Sequence, residues 1–99
     1  MKKLMMTVLL KSVANLSPDK YKVGAIYVQG WRISFGYNTS RDYGSHAEDM
    51  AIRMFEKLYK PRAQKGTMYC TWSPCSVCAK NLFNLGIRPW YLDRYTGKL

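Results

Sequence analysis

The chain has 99 residues, 47% of them hydrophobic, which is enough for one modest core and leaves no room for a second domain. Lys and Arg number 16 against 6 acidic residues, a formal charge of +10 that favours phosphate-bearing or otherwise anionic partners through long-range attraction. No stretch approaches the 18 or more apolar residues of a membrane span, so no membrane partner is expected.

The opening MKKLMMTVLLK has a basic end and a short apolar run, but Lys11 interrupts it and no small-residue cleavage site follows, so it does not read as a secretory leader. Met6, Leu10, Val13 and Ala14 instead recur at the spacing of a helix with one buried face. Residues 17–20 (SPDK) read as a turn. Lys22 to Val28 and Trp31 to Tyr37 are rich in Val, Ile and aromatic residues around Gln29-Gly30, which predicts a hairpin. The polar residues 38–44 follow as a loop. From Ser45 to Lys60, Ala47, Met50, Ala51, Met54, Phe55 and Leu58 recur at steps of three and four, predicting a helix that Pro61 ends. A basic turn at 61–66 leads into a strand from Thr67 to Thr71; Pro74 opens another helix, Gly86 closes it, and a short strand from Trp90 to Asp93 follows Pro89. Helices alternating with strands after an opening hairpin predict a single α/β domain over residues 1–99, a layered sandwich whose later strands run parallel.

Chemistry concentrates in two short stretches. His46, the chain's one histidine, and Glu48 stand in SHAED at the start of one predicted helix; Cys75 and Cys78 stand in PCSVC at the start of another. Three cysteines, Cys70, Cys75 and Cys78, make a poor disulfide framework and a better thiol or metal set, which points to a reducing, cytoplasmic compartment. Cysteines three apart in a first helical turn project from one face, where free N–H groups stabilise thiolates. One histidine and two thiolates are the ligand count of a catalytic zinc that keeps its fourth position for water. Glu48, two residues from His46, is placed to carry a proton from that water to a ring nitrogen and then to a leaving amine. His-x-Glu followed by Pro-Cys-x-x-Cys is the pattern of the zinc nucleobase deaminases, in which the glutamate is acid and base and not a ligand.

Around this core VGAIYV (23–28), RISFGYNTS (32–40), SHAEDMAI (45–52) and GTMYCTWSPCSVCAKNLFNLGI (66–87) follow in register. The chain thereby resembles the cytidine and deoxycytidylate deaminase superfamily, and within it most of all deoxycytidylate deaminase, over residues 21–95. The resemblance implies a three-layer cytidine-deaminase-like sandwich with a mixed sheet of about four strands and helices on both faces, and zinc as cofactor. It implies a pyrimidine nucleotide as substrate, with hydrolysis of dCMP to dUMP and ammonia as the expected reaction. It also implies that Asn38 holds the sugar, that the backbone of Ala47 and Ser73 reads the pyrimidine's carbonyl and amine, and that Tyr91 walls the pocket. Ser40 and Arg41, next in the loop, are expected at the 5′-phosphate, since a guanidinium matches phosphate geometry.

The sequence departs from the family in two respects. Residues 39–45 contain neither Cys nor His, so the further zinc-binding insertion of some deoxycytidylate deaminases is missing, and the chain leaves no room after Tyr95 for the usual final helix and strand. A four-stranded sheet keeps an exposed edge, which a homo-oligomer is expected to cover.

Other readings stand beside this one. Trp72 in TWSPC resembles the polynucleotide-editing branch, and Arg53, Lys57, Lys60, Arg62 and Lys65, with Trp31 and Trp90 as stacking platforms, fit a cytosine or adenine deaminase acting on single-stranded DNA or RNA. Ser45 and Glu48 also spell a capping box, SxxE. Cys70 with His46, Cys75 and Cys78 would close a structural zinc site in a non-catalytic nucleic-acid-binding module, although Cys70 lies among apolar strand residues where a free thiol packs as a small hydrophobe.

Overall fold

Seven elements follow one another in the expected order: α1 (Lys3–Ala14), β1 (Gly24–Gln29), β2 (Arg32–Tyr37), α2 (Ala47–Leu58), β3 (Thr67–Trp72), α3 (Ser76–Asn84) and β4 (Arg88–Asp93). They are seen in a computed structural model that describes residues 3–18, 22–39, 46–59, 62–72 and 76–93. The strands form one sheet in the order β2-β1-β3-β4. β1 is antiparallel to both β2 and β3, whereas β3 and β4 are parallel, so the sheet is mixed as the motif order implied.

The burial pattern of each strand records its place in the layers. In β1, Gly24 to Tyr27 are all buried because both faces of this central strand are covered. Ala25 and Tyr27 face the core formed with Ala47, Ala51 and Phe55 of α2 and Leu82 of α3; Ile26 faces Met6 and Leu10 of α1. Edge strand β2 alternates instead. Ser34 donates to the Ala51 carbonyl at 2.7 Å beneath α2, while Ile33 and Phe35 turn to the α1 side and stay 42% and 38% exposed.

Two glycines set the helix positions by having no side chain. A Cβ on Gly36 would lie 2.5 Å from the Ala51 amide nitrogen and closer still to the Ala47 carbonyl oxygen, so α2 presses its first turns directly onto β2. A Cβ on Gly24 would lie 2.6 Å from the Ala14 nitrogen and 2.7 Å from the Leu10 oxygen, which places the end of α1 on the opposite face. The site-bearing helix is thus fixed by backbone contact.

Several boundaries differ from expectation. β4 begins at Arg88 and includes Pro89, paired in register with Met68; on an edge strand one N–H can point away from the sheet, so proline removes no needed ladder bond. β1 begins at Gly24 and not at Lys22. α3 ends in a left-handed Gly86 (φ 69°), with Ile87 N–H bonded to the Leu82 carbonyl at 2.9 Å and the two side chains buried together, a cap that also aims β4. The α2 edge of the sheet is also less open than a bare four-stranded sheet implies. Tyr59 Oη donates to the Ile33 carbonyl (3.0 Å) and accepts from its N–H (3.3 Å), and Tyr37 N–H reaches Met50 Sδ (3.4 Å).

Candidate deaminase site

The parallel strands β3 and β4 finish at the same end of the sheet as β1 begins, and two helix N-termini are brought to that end. α2 starts after the hairpin's second strand and α3 starts after β3. The N-cap of α2 is His46, in extended conformation (φ −80°, ψ 147°), with no side-chain cap bond. The capping-box reading is therefore corrected: the cap falls one residue later than Ser45, and Glu48 occupies the second helical position instead of the third.

Glu48 is instead a buried carboxylate, 5% exposed. Burial raises its pKa above the usual carboxylate range; its own backbone N–H and His46 oppose the rise, and Asp49 adds to it. Cys70 lies fully buried in the α2-side core, and its thiol is pushed well up by burial, with Glu48 and Cys78 acting in the same direction. These mutual influences join His46, Glu48, Cys70 and Cys78 into one neighbourhood. Cys70 is a free thiol, and Cys78 sits in the first turn of α3.

The remaining expected residues divide into those the structure positions and those outside the described residues, namely Ser40, Arg41, Ser73 and Cys75. Among the described residues no three His, Cys, Asp or Glu side chains form a metal-holding cluster; the proposed set needs Cys75. Ala47 is the first helical residue of α2 and is buried, so its N–H belongs to the turn that has no intrahelical acceptor. Tyr91 is half-buried, pairs in register with Cys70 and packs against the α2-side core, on the same face as Glu48. Asn38 follows β2 directly. Its Oδ1 accepts from Val23 N–H at 2.7 Å, its N–H donates to the Val23 carbonyl at 3.1 Å, and its carbonyl accepts from Ser17 Oγ at 2.7 Å.

Two contributors gave little signal in the sequence. Thr71 Oγ1 accepts from Gly24 N–H (3.0 Å) and lies 3.5 Å from the Gly24 carbonyl, so it closes the seam between β1 and β3 beside the site. Gly36 admits the first turn of α2. A threonine near a strand end and a glycine within a strand carry no reagent, and only the glycine's oddity in a β-run hints at a close backbone approach.

A family model described as the cytidine and deoxycytidylate deaminase zinc-binding region matches residues 1–93. The chain belongs to this family. It is accordingly a deaminase of the zinc-dependent cytidine and deoxycytidylate class. The fold is shared with the dCMP deaminase of cyanophage S-TIM5: the apo structure superposes with a TM-score of 0.76 at 24% identity, over 99% of this chain and 90% of that one. The structure of that enzyme with dCMP and dUMP gives 0.75 at 23% identity, over 96% and 85%. Cytidine deaminase from Mycobacterium tuberculosis gives 0.69 at 17% identity, over 98% and 88%. No curated protein sequence matches significantly. At these identities the likeness is one of fold, and the family assignment rests on the match over residues 1–93.

The donor chemistry fits the family's metal. His46 at the start of α2 and Cys78 in the first turn of α3 offer one nitrogen and one sulfur donor, and Cys75 of the motif would bring the set to the one nitrogen and two sulfurs suited to zinc with an open position. No helix among the described residues is long and apolar enough to cross a membrane.

Proposed function

We propose that the chain hydrolyses the C4 amino group of cytosine in a free deoxyribonucleotide, converting dCMP to dUMP and ammonia, with His46, Cys75 and Cys78 as zinc ligands. The observation that carries this reading is Glu48, a carboxylate buried at a helix start two residues from His46. When bound, zinc supplies Lewis acidity that makes hydroxide available at neutral pH. Glu48 takes one proton from the attacking water and delivers it to the pyrimidine ring nitrogen, then takes the remaining proton from the hydroxyl on C4 and delivers it to the amine, which leaves as ammonia.

The other residues bind and orient. The Ala47 and Ser73 backbones read the pyrimidine edge, and the Tyr91 ring forms a wall. Asn38, whose Oδ1 accepts from Val23 N–H, holds the sugar. Ser40 and Arg41 take the 5′-phosphate.

Two observations favour a free nucleotide over a polynucleotide. Arg53, the described cation one turn beyond Asp49 on α2, is paired with Asp49 at 2.6 Å, and the Trp90 ring packs on Tyr69 at 5.5 Å and is not offered to a base. A homo-oligomer fits the exposed Met5, Val8, Leu9 and Leu16 of α1 together with Ile33 and Phe35 of β2. They amount to roughly 500 Å² of apolar surface per copy, so two copies reach the lower bound of a stable interface. A zinc set with two thiolates fits a reducing compartment such as the cytoplasm.

The test is to supply the zinc-loaded protein with dCMP, dCTP, deoxycytidine and a cytosine-containing single-stranded oligonucleotide and to follow uracil formation. Uracil from dCMP is the expected result. Uracil from the oligonucleotide alone would overturn the substrate assignment, and none from any substrate would leave zinc in a structural role.

A further inference from the structure

Five of the described cations lie at the end of the sheet opposite Glu48. The sheet register places the end of β1 and the starts of β2, β3 and β4 side by side, with Gln29 opposite Arg32, Val28 opposite Thr67 and Thr67 opposite Arg88. Gln29 Nε2 donates to the carbonyls of Arg62 (3.2 Å) and Gln64 (2.9 Å), and the buried Tyr27 ring places its Oη on the carbonyls of Gln64 (2.9 Å) and Lys65 (2.8 Å). Those bonds pin the basic turn beside the hairpin. Lys65 N–H in turn reaches the Leu85 carbonyl at 2.9 Å, and Arg88 N–H the Gly66 carbonyl at 3.0 Å. The end of α2 is tied in by Tyr59 on Ile33.

Arg32, Lys57, Arg62, Lys65 and Arg88 therefore surround one end of the sheet, and all but the half-buried Arg32 are exposed. None of the five is ion-paired with a carboxylate of the described residues, where Arg53 and Asp49 form the observed pair. The one described carboxylate nearby, Glu56, accepts the Ala63 N–H at 3.1 Å. At the hairpin tip Trp31 is 79% exposed, with the Arg32 guanidinium 4.9 Å from its ring centroid and the Tyr59 ring edge-on at 6.1 Å. A cation and an aromatic ring hold this indole in the open.

We propose that this basic pole, with Trp31 at its tip, is a binding surface for single-stranded nucleic acid, separate from the deaminase site. Cations ranged around a sheet end match a phosphate backbone, and an open indole face accepts an unpaired base, which a duplex would keep stacked on its neighbours. The 12 residues of α2 separate the pole from the Glu48 end by about 18 Å, roughly twice the Debye length at physiological salt. The two sites thus act on different ligands without sharing a field.

The test uses the zinc-loaded full chain and a labelled oligothymidine, which lacks cytosine and so does not depend on the deamination reading. Binding should weaken steeply with salt, with a log–log slope of about −0.7 per phosphate neutralised. The variant Arg62→Ala/Lys65→Ala/Arg88→Ala should bind at least about tenfold more weakly, with the slope reduced by about 2. Trp31→Ala should lose about tenfold in affinity while keeping the wild-type slope, because stacking releases no counterions. Thermal melting checks that both variants are folded, and dCMP turnover should match the wild type in each. Salt-insensitive or absent binding would overturn the proposal, as would affinities unchanged in folded variants. Equal binding of phosphatidylserine vesicles by wild type and Trp31→Ala, with none of oligothymidine, would assign the pole to a membrane surface instead.

Discussion

At the end of the sheet where β1 begins and β3 and β4 finish, Glu48 in the first turn of α2 and Thr71, bonded to Gly24, are buried, and the half-buried Asn38 is held by Val23 and Ser17. At the opposite end, cations and an indole stand in solvent around turns that are themselves hydrogen-bonded into place. A buried polar group tolerates little movement, because losing its partner costs the full desolvation penalty. Exposed charges act through solvent and tolerate movement. Fixed geometry suits a single small substrate, and tolerance of movement suits approximate contact with an extended anion. A charge of +10 read from the sequence favours phosphate partners in general, and only the fold shows how much of it lies away from the deaminase site.

The contrast should break most completely at Gly36. A valine there would drive its side chain into the Ala51 amide and the Ala47 carbonyl, and α2 would have to leave the sheet. Gly36→Val should yield a chain without a cooperative melt, whereas the matched change at the open end, Gly30→Val, meets no atom within 4 Å and should cost only the strain of its left-handed φ of 64°. A smaller effect is expected at Asn38. Asn38→Ala leaves the Val23 N–H without its acceptor and should cost about 1–2 kcal/mol in denaturant unfolding, together with a raised KM for dCMP. Smaller again is Tyr59→Phe. Removing the hydroxyl uncovers the N–H and carbonyl of Ile33 on the sheet edge, for a loss of about 0.5–1.5 kcal/mol and increased self-association in sedimentation, with dCMP turnover unaffected.

What the sequence disclosed divides along physical lines. Element order, the hairpin and the parallel pairing of the later strands were legible because periodicity and turn residues act locally, as Gly86 and the α2 apolar face illustrate. The strand boundary at Pro89 was misjudged because a proline's cost depends on whether its strand lies at an edge, which is a tertiary fact. Glu48 and His46 were legible from motif spacing, whereas the burial of Glu48 and the N-cap at His46, which displaces the capping box, depend on where α2 meets the sheet. The roles of Gly36 and Thr71 were hidden, since a missing side chain and a cross-strand hydroxyl matter only through partners 11 to 47 positions away. Ser40, Arg41, Ser73 and Cys75 stand on the motif alone.

The central claim is that a buried carboxylate at the α2 N-terminus carries the protons of a deamination, and Glu48→Gln tests it most directly. The substitution keeps size and removes the ability to exchange a proton, so zinc content and melting temperature should stay near those of the wild type while dCMP turnover falls by about 10²–10⁴-fold. Turnover within a few-fold of the wild type, in a variant with full zinc content, would contradict the account.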